Sequence, residues 1–395
     1  MKSTNFHFST LEFAGSLGDL GTLIPLSLGM IMVCGLSTST VFIIIGLFYI
    51  STGLYFRLPV PVQPLKVVAA IAIAYPGKIT IEMIAAAGMI FGVILLISGV
   101  SGLIDQMAKF FKKSIVRGIQ LGLGLILASK GLSFILRKDL FSWNSATSEI
   151  ANNIPLNLIL GIVMVVCTLL FMNSKRFPAA LVVMGIGIIA GIASGGLENL
   201  TFQTGITGFS LYMPSIESIN SALFLLVIPQ IPLTLGNAVI GTADTCFTLF
   251  GKGQSTEKIS YRSLAISMGI SNCIAGLFGA MPMCHGAGGL AAHHRFGART
   301  GGSNLMIGVI FIILGLFFGK LTFRLLSCLP NAVFGTLLLF AGLELSLLIR
   351  DIHTKKELFV ALLIGCIAIH TSNMGIAFVT GIVVDQMMQW KHIEL

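Results

Sequence analysis

The chain has 395 residues, of which 55% are hydrophobic and only 10% are charged, and its formal net charge is +9. Because a soluble domain carries roughly 25% charged residues, this composition excludes a soluble globular protein. Apolar runs of about 17 to 25 residues, each long enough to cross the hydrocarbon of a bilayer, recur along the chain. We therefore predict a single integral membrane domain over residues 1–395.

The positive charge and the seven cysteines both have simple explanations in a membrane protein. Lys and Arg collect in cytoplasmic loops, so the net charge does not indicate nucleic acid, and no nucleic-acid partner is expected. The cysteines are scattered without a Cys-x-x-Cys pair. We therefore expect neither a disulfide framework nor a zinc site, and no metal or cofactor.

Hydropathy predicts fourteen segments. The first seven cover about 12–33, 37–56, 58–76, 80–100, 114–136, 155–172 and 178–194. The second seven cover about 220–250, 260–279, 281–298, 301–319, 331–349, 357–371 and 374–390. With this count, most Lys and Arg side chains fall on the side of the N-terminus, which predicts that both termini are cytoplasmic. The predicted fold is all-α and polytopic, with repeats at about 12–194 and 220–390 in opposite orientations, since each holds an odd number of segments.

Segment one contains GSLGDLGT, in which Asp19 lies roughly 12 Å into the span at about 1.5 Å per residue. A carboxylate at that depth is costly and is a functional candidate by default. We predict that Asp19 and Thr22 contact substrate and that Asp19 also couples protons. The alternative is a structural Asp that bonds to helix N-termini or hydroxyls.

Segment three is short and reads LPVPVQPLK from Leu58 onward. Pro64 is expected in the first turn of a helix, where its missing N–H costs nothing. The free N–H groups and the positive end of the helix dipole would then point at the membrane centre. Gln63 can donate from its amide and Lys66 adds a positive charge, so we predict that both bind substrate. For Lys66 the alternative is snorkelling to an interface.

Segment eight is the counterpart of segment one and contains GNAVIGTAD. Asn237 is predicted near mid-depth and is assigned to substrate binding. Asp244 lies nearer the cytoplasmic end, where it is a candidate proton carrier. A gating role or a helix contact is the alternative for Asp244.

Segment ten reads MPMCHGAGG from Met281 and is also interrupted by Pro and Gly. Gly286, Ala287 and Gly288 lack bulk, so their N–H groups can approach a ligand closely, and we predict that they bind substrate. His285 can donate to an oxyanion or carry a proton. A packing hydrogen bond is the alternative for His285.

Segments three and ten occupy corresponding places in the two predicted halves. Placing Pro59 over Pro282 aligns two short extended stretches, each followed by a helix start. Paired broken helices are the best sequence indication of a transporter's binding site. Two opposed helix N-termini would enclose a cavity suited to an anion.

Other patterns exclude several function classes. His293 and His294 are adjacent and therefore project in different directions, which argues against a metal site. The sequence has no P-loop and no Ser-His-Asp order, which argues against an ATP-driven pump and against a membrane enzyme.

The pieces GSLGDLGTLIPL, PVPVQPLK, GNAVIGTAD and MPMCHGAGGLAAHHRFGARTGG resemble the signatures of the molybdate transporter family, which is distantly related to the SulP sulfate permeases. The resemblance covers nearly the whole chain. It implies a seven-plus-seven inverted repeat with core and gate domains, and substrate between segments three and ten, flanked by one and eight. It also implies molybdate as substrate, with sulfate as the close competitor. SulP permeases usually continue into a soluble C-terminal domain, whereas this chain ends at Leu395, which favours molybdate.

Import of a dianion into a cell with a negative interior opposes the membrane potential. The cost is about 2.3 kcal/mol per charge per 100 mV, or about 4.6 kcal/mol for two charges. Uptake therefore needs at least two co-transported cations. The sequence shows no recognisable sodium site, so we predict that protons are the coupling ions. The predicted mechanism is proton symport of molybdate, sulfate or tungstate by alternating access. A nucleobase/proton symporter of the same fold and an anion exchanger or channel remain alternatives. A prokaryotic inner membrane is the expected location, and a homodimer is a possible assembly.

Overall fold

A computed structural model describes residues 6–110, 113–141, 156–172, 174, 179–195, 204–371 and 373–390. Of the described residues, 78% are helical. Over the first half of the chain the elements are α1 (Thr10–Ser16), α2 (Leu20–Cys34), α3 (Thr38–Phe56), β1 (Gln63–Pro64), α4 (Lys66–Ala74), α5 (Ile81–Ser101), α6 (Leu103–Phe110), α7 (Lys113–Ile135), α8 (Leu156–Phe171) and α9 (Ala179–Ala193).

The second half begins with one long helix that contains two π-helical stretches. It runs through α10 (Ile216–Ala222), a π stretch (Leu223–Val227), α11 (Ile228–Leu233), a second π stretch (Thr234–Gly241) and α12 (Thr242–Phe250). The remaining elements are a 3₁₀ turn (Gln254–Thr256), α13 (Tyr261–Leu277), β2 (Met283–Cys284), α14 (Ala287–Phe296), α15 (Gly302–Ser327), α16 (Asn331–Ser346), a 3₁₀ turn (Leu347–Asp351), α17 (Lys355–Thr371) and α18 (Met374–Trp390).

Each predicted segment overlaps a helix of the structure. Among the described residues, six helices are long and apolar enough to cross a membrane, or seven if the bent pair of α1 and α2 forms one span. These helices support an integral membrane protein. The count of fourteen crossings and the inverted repeat stay predictions.

Segment one is bent, whereas the sequence suggested one continuous run. α1 and α2 meet at an angle of 45°. Asp19 is the N-cap residue of α2, and its carbonyl oxygen accepts from the N–H groups of Thr22 and Leu23. Because Asp is a favoured N-cap residue, a new helix can begin at this position. Segment one, predicted as a span over about 12–33, therefore consists of two helices that meet at Asp19.

The extended stretches of segments three and ten pair with each other. β1 and β2 are antiparallel, with Gln63 opposite Cys284 and Pro64 opposite Met283. The N–H of Leu65 continues this pairing by donating to the Pro282 carbonyl at 2.8 Å. The predicted extended stretches are thereby confirmed. Pro64, expected in the first turn of α4, lies in β1 instead, because the pairing delays the helix until Lys66.

Glycines allow the long helices to pack with their backbones close together. A Cβ atom at Gly131 of α7 would lie 2.6 Å from the carbonyl oxygen of Gly335 in α16. A Cβ atom at Gly46 of α3 would lie equally close, at 2.6 Å, to the carbonyl oxygen of Gly308 in α15. In a bilayer, helix association depends on close packing of this kind between small residues. The contact between α7 and α16 fixes two of the helices that line the cavity described next.

Candidate functional site

A cavity of about 350 Å³ lies where α2, α4 and α14 face α7, α8, α9 and α16. Its volume falls within the range of roughly 300–1,000 Å³ that is usual for small-molecule sites. At about 30 Å³ per water molecule, it has room for a small anion with several waters. The polar side chains on its wall that matter here are Asp19, Thr22, Gln63, Lys66, Arg295 and Glu344.

A buried hydrogen-bonded pair joins the bend of segment one to segment three. The amide nitrogen of Gln63 donates to both carboxylate oxygens of Asp19 at 2.8 Å. Asp19 is only 3% exposed and Gln63 only 1%. Asp19 therefore holds Gln63, and with it the break before α4, against the start of α2.

Two glycines of segment ten make room for this pair. A Cβ atom at Gly289 would lie 2.5 Å from Oδ2 of Asp19 and 2.6 Å from Nε2 of Gln63. A Cβ atom at Gly286 would collide with the amide oxygen of Gln63. At Gly288, in contrast, a Cβ atom would meet nothing within 4 Å. Gly286 and Gly289 thus permit close packing, whereas Gly288 leaves the helix backbone open to the cavity.

Three helices begin at this cavity. α4 starts at Lys66 and α14 at Ala287, and in neither helix does the side chain of the N-cap residue bond to the first turn. One N–H of α4, that of Val67, donates to Oε1 of Gln230 at 2.9 Å. The third helix is α2, whose N-cap is Asp19. Since each helix N-terminus carries roughly half a positive charge, the arrangement favours an anion. The sequence predicted two of these N-termini and missed that of α2.

The charged side chains on the cavity wall are of both signs. Lys66 lies half-buried at the start of α4, on the cavity wall. Its charge acts on the carboxylates of Asp19 and Glu344. Arg295 supplies the second cation. Neither Arg295 nor Glu344 was predicted for the site, although a carboxylate inside the apolar segment twelve was a usable signal for Glu344.

His285 lies outside the lining of the cavity and is fully buried. Its Nδ1 is 2.9 Å from the carbonyl oxygen of Pro61, and its Nε2 is 3.3 Å from Oγ of Ser267. A carbonyl only accepts, so Nδ1 must carry the proton in this contact. The ring also packs against Phe48 and Phe56. This geometry fits the packing alternative, and direct contact with substrate would require a rearrangement.

The predicted residues of segment eight also lie away from the cavity wall. Asn237 is half-buried in the second π stretch, and Asp244 is exposed on α12. Gly241 packs against Ala287, so this helix touches the start of α14 without bringing either side chain to the cavity. Gly286 and Ala287 likewise do not line it, whereas Gly288 does. Among the described residues, no group of His, Cys, Asp or Glu is arranged to hold a metal.

A family model described as "Molybdate transporter of MFS superfamily" matches residues 11–127 and 222–345. The chain is also 32% identical to Molybdate transporter 2 of Arabidopsis thaliana, over 97% of this chain and 88% of that protein. The chain belongs to the molybdate transporter family. It is similar as well to Molybdate transporter 1 of the same plant, with 31% identity over 95% of this chain and 87% of that protein. A molybdate transporter of Chlamydomonas reinhardtii is 27% identical, over 94% of this chain and 90% of that protein.

Solved structures show the fold of this molybdate transporter family member. The transmembrane domain of the cyanobacterial bicarbonate transporter BicA superposes with a TM-score of 0.66, at 17% identity, over 96% of this chain and 97% of that chain. The murine anion transporter Slc26a9, in its inward-facing state, superposes with a TM-score of 0.69, at 18% identity, over 98% of this chain and 69% of that chain. The fold is therefore that of anion transporters of this kind.

The comparisons confirm the predicted family, the anion-transporter fold and the membrane location. The relatives are transporters and not enzymes, as expected. They come from a plant and an alga, so they lend no support to a prokaryotic inner membrane.

Proposed function

We propose that this protein is a secondary active transporter of molybdate, or of a closely similar tetrahedral oxyanion, and that the cavity between the starts of α4 and α14 is its substrate site. One observation carries the site assignment. Lys66 at the start of α4 and the open backbone of Gly288 at the start of α14 line the same cavity. A cation and uncapped helix N–H groups together complement an oxyanion.

The other residues of the proposed site have different tasks. Thr22 lies on the wall and can offer its hydroxyl to an anion oxygen. Gln63 is already engaged by Asp19, so the pair positions the two helix starts rather than holding the anion directly. His285, Asn237, Gly286 and Ala287 support this geometry from outside the cavity.

The substrate class follows from the family and from the site. The relatives are named for molybdate, and tungstate and sulfate share its tetrahedral shape and double negative charge. A wall that offers a cation and backbone donors to oxygen atoms suits all three. We propose molybdate as the physiological substrate, with tungstate and sulfate as competitors.

Proton symport through alternating access is the proposed mode of transport. Two negative charges moving against 100 mV cost about 4.6 kcal/mol, which two accompanying protons remove. Alternating access would come from movement of α1–α4 and α14, as a core, against α7–α9 and α16, as a gate. Asp19 and Asp244 are the coupling residues proposed from the sequence, and only Asp19 lies on the cavity. A homodimer and a prokaryotic inner membrane also stay predictions.

The test is molybdate uptake into proteoliposomes by the purified protein, with Lys66→Gln as the key variant. Loss of one charge-assisted hydrogen bond should weaken molybdate binding by about 1.5–3 kcal/mol, or roughly ten- to a hundredfold. Lys320→Gln is the matched control, because Lys320 is exposed and lies outside the cavity. Wild-type affinity in folded Lys66→Gln would refute the site.

Two further measurements separate the remaining transport classes. A proton symporter should accumulate molybdate when the only driving force is an inward proton gradient. An exchanger would need anion on the other side, and a channel would carry net current without coupling to pH. Competition by sulfate, tungstate and uracil would define the substrate class.

A further inference from the structure

Glu344 is a second carboxylate on the cavity wall, and it comes from the opposite side of the cavity to Asp19. It lies on α16, whereas Asp19 and Lys66 lie on α2 and α4. Both oxygens of Asp19 accept hydrogen bonds from Gln63. Glu344 is exposed to the cavity, and within the described part of the chain no hydrogen bond or ion pair involves its side chain.

The surroundings of Glu344 decide how it would respond to an anion. Among the described residues that line the cavity, three other groups are charged, namely Asp19 at the start of α2, Lys66 on α4 and Arg295 on α14. The described lining residues of α7, α8 and α9 are uncharged. When all four described groups are ionised their charges sum to zero, so these groups leave the two negative charges of an arriving dianion uncompensated.

An ionised carboxylate beside a bound dianion is repelled by it, and a proton on the carboxylate removes that repulsion. Asp19 is tied into the contact that holds α2 to Gln63. Glu344 has no such structural bond, and water in the cavity can reach it. Protonation of Glu344 would therefore relieve the repulsion without breaking a contact of the fold.

Building on the proposed function, we propose that Glu344 takes up a proton from water when the oxyanion binds, and releases it with the anion on the other side. The proton adds to one carboxylate oxygen, and no other bond forms or breaks. Glu344 thus cancels one of the two charges of the anion during transport. It is a coupling residue, and the affinity of the site comes mainly from Lys66 and the helix starts.

The experiment compares wild type with two neutral variants, Glu344→Gln and Glu344→Ala, in proteoliposomes. Molybdate counterflow at equal pH reports anion exchange, and a pH-sensitive dye reports the protons that enter with each molybdate. We expect both variants to keep counterflow and to carry one proton fewer per molybdate. Because one proton corresponds to about a factor of ten per pH unit, accumulation should fall about tenfold for each unit of gradient.

Glu344→Asp and Glu217→Gln serve as controls. The first keeps a carboxylate and should restore proton coupling. The second removes an exposed carboxylate of α10, outside the cavity, and should leave coupling unchanged. Asp244 was the proton carrier predicted in segment eight. Asp244→Asn in the same assay tests whether Asp244, rather than Glu344, carries the proton.

A measurement in detergent tests the idea without transport. Molybdate added to weakly buffered protein should draw protons from solution, and each neutral variant should draw one fewer than wild type. Equal proton uptake by wild type and a neutral variant would overturn the role of Glu344. Loss of molybdate binding by a folded neutral variant would also overturn it, because removal of a negative charge should favour the anion. Absence of molybdate counterflow in wild type would instead overturn the proposed function.

Discussion

Replacement of Gly289 by alanine tests whether the cavity depends on close contact between α14 and the Asp19–Gln63 pair. The added Cβ atom would lie 2.5 Å from Oδ2 of Asp19 and 2.6 Å from Nε2 of Gln63. Real Cβ atoms essentially never approach other heavy atoms closer than 3.0 Å, so one of the groups must move. Both neighbours are buried and bonded to each other, so neither can move freely.

The size of the effect follows from two opposing contributions. Alanine in place of glycine inside a helix gains about 0.8–1 kcal/mol in helix propensity. Overpacking of a tight site costs about 1–3 kcal/mol. The net loss in the free energy of unfolding is therefore about 0–2 kcal/mol. The displaced Asp19–Gln63 hydrogen bonds should instead weaken molybdate binding by about 1.5–3 kcal/mol, or roughly ten- to a hundredfold.

Calorimetric titration of molybdate and thermal unfolding, both in detergent, measure the two effects separately. Gly185→Ala is the matched control, because it makes the same change inside α9, with no atom within 4 Å of the new Cβ and outside the cavity lining. It gains the same helix propensity without the collision, so its affinity should stay at the wild-type value. Equal affinity in wild type and Gly289→Ala, or an equal loss in Gly185→Ala, would refute this account of the site.

Two other substitutions test the elements behind the cavity. His285→Ala should lower the free energy of unfolding by about 2–4 kcal/mol, because it leaves a void and an unpaired Pro61 carbonyl. The affinity for molybdate should stay near the wild-type value. A loss of affinity without a loss of thermal stability would support a direct binding role for His285 instead. Asn272 donates to the carbonyl of Met283 and accepts from its N–H, both at 2.7 Å, and thereby holds β2. Asn272→Ala should lower stability by about 2–4 kcal/mol and also weaken binding, since β2 leads into α14, and unchanged thermal unfolding would contradict this role.

The paired breaks in segments three and ten could be predicted from the sequence, because they depend on the local backbone preferences of Pro and Gly. Pro and Gly exclude a continuous helix, and the alignment of Pro59 with Pro282 anticipates two extended stretches that become β1 and β2. The same local signals predict a helix start after each stretch, although β pairing delays the start of α4 from Pro64 to Lys66. Local composition was therefore sufficient to place the centre of the candidate site.

The directions of side chains and the contacts between distant elements could not be predicted from the sequence. His285 and Gly288 are three residues apart, yet only Gly288 lines the cavity, because the pairing of β1 with β2 decides which way each residue faces. The bend at Asp19 had a local signal, an Asp among glycines, that an apolar run of spanning length concealed. The position of Glu344 opposite Lys66 depends on the packing of α16, which no local pattern specifies.

The most direct test of the central claim is the location of the anion itself. Crystals grown with molybdate or tungstate, and measured at the metal's absorption edge, would show the bound ion as an anomalous peak. The account predicts a peak in the cavity, within about 4 Å of Nζ of Lys66 and close to the backbone N–H of Gly288. A peak elsewhere, such as the smaller cavity lined by Arg137 and Phe334, with the first cavity empty at saturating anion, would contradict it.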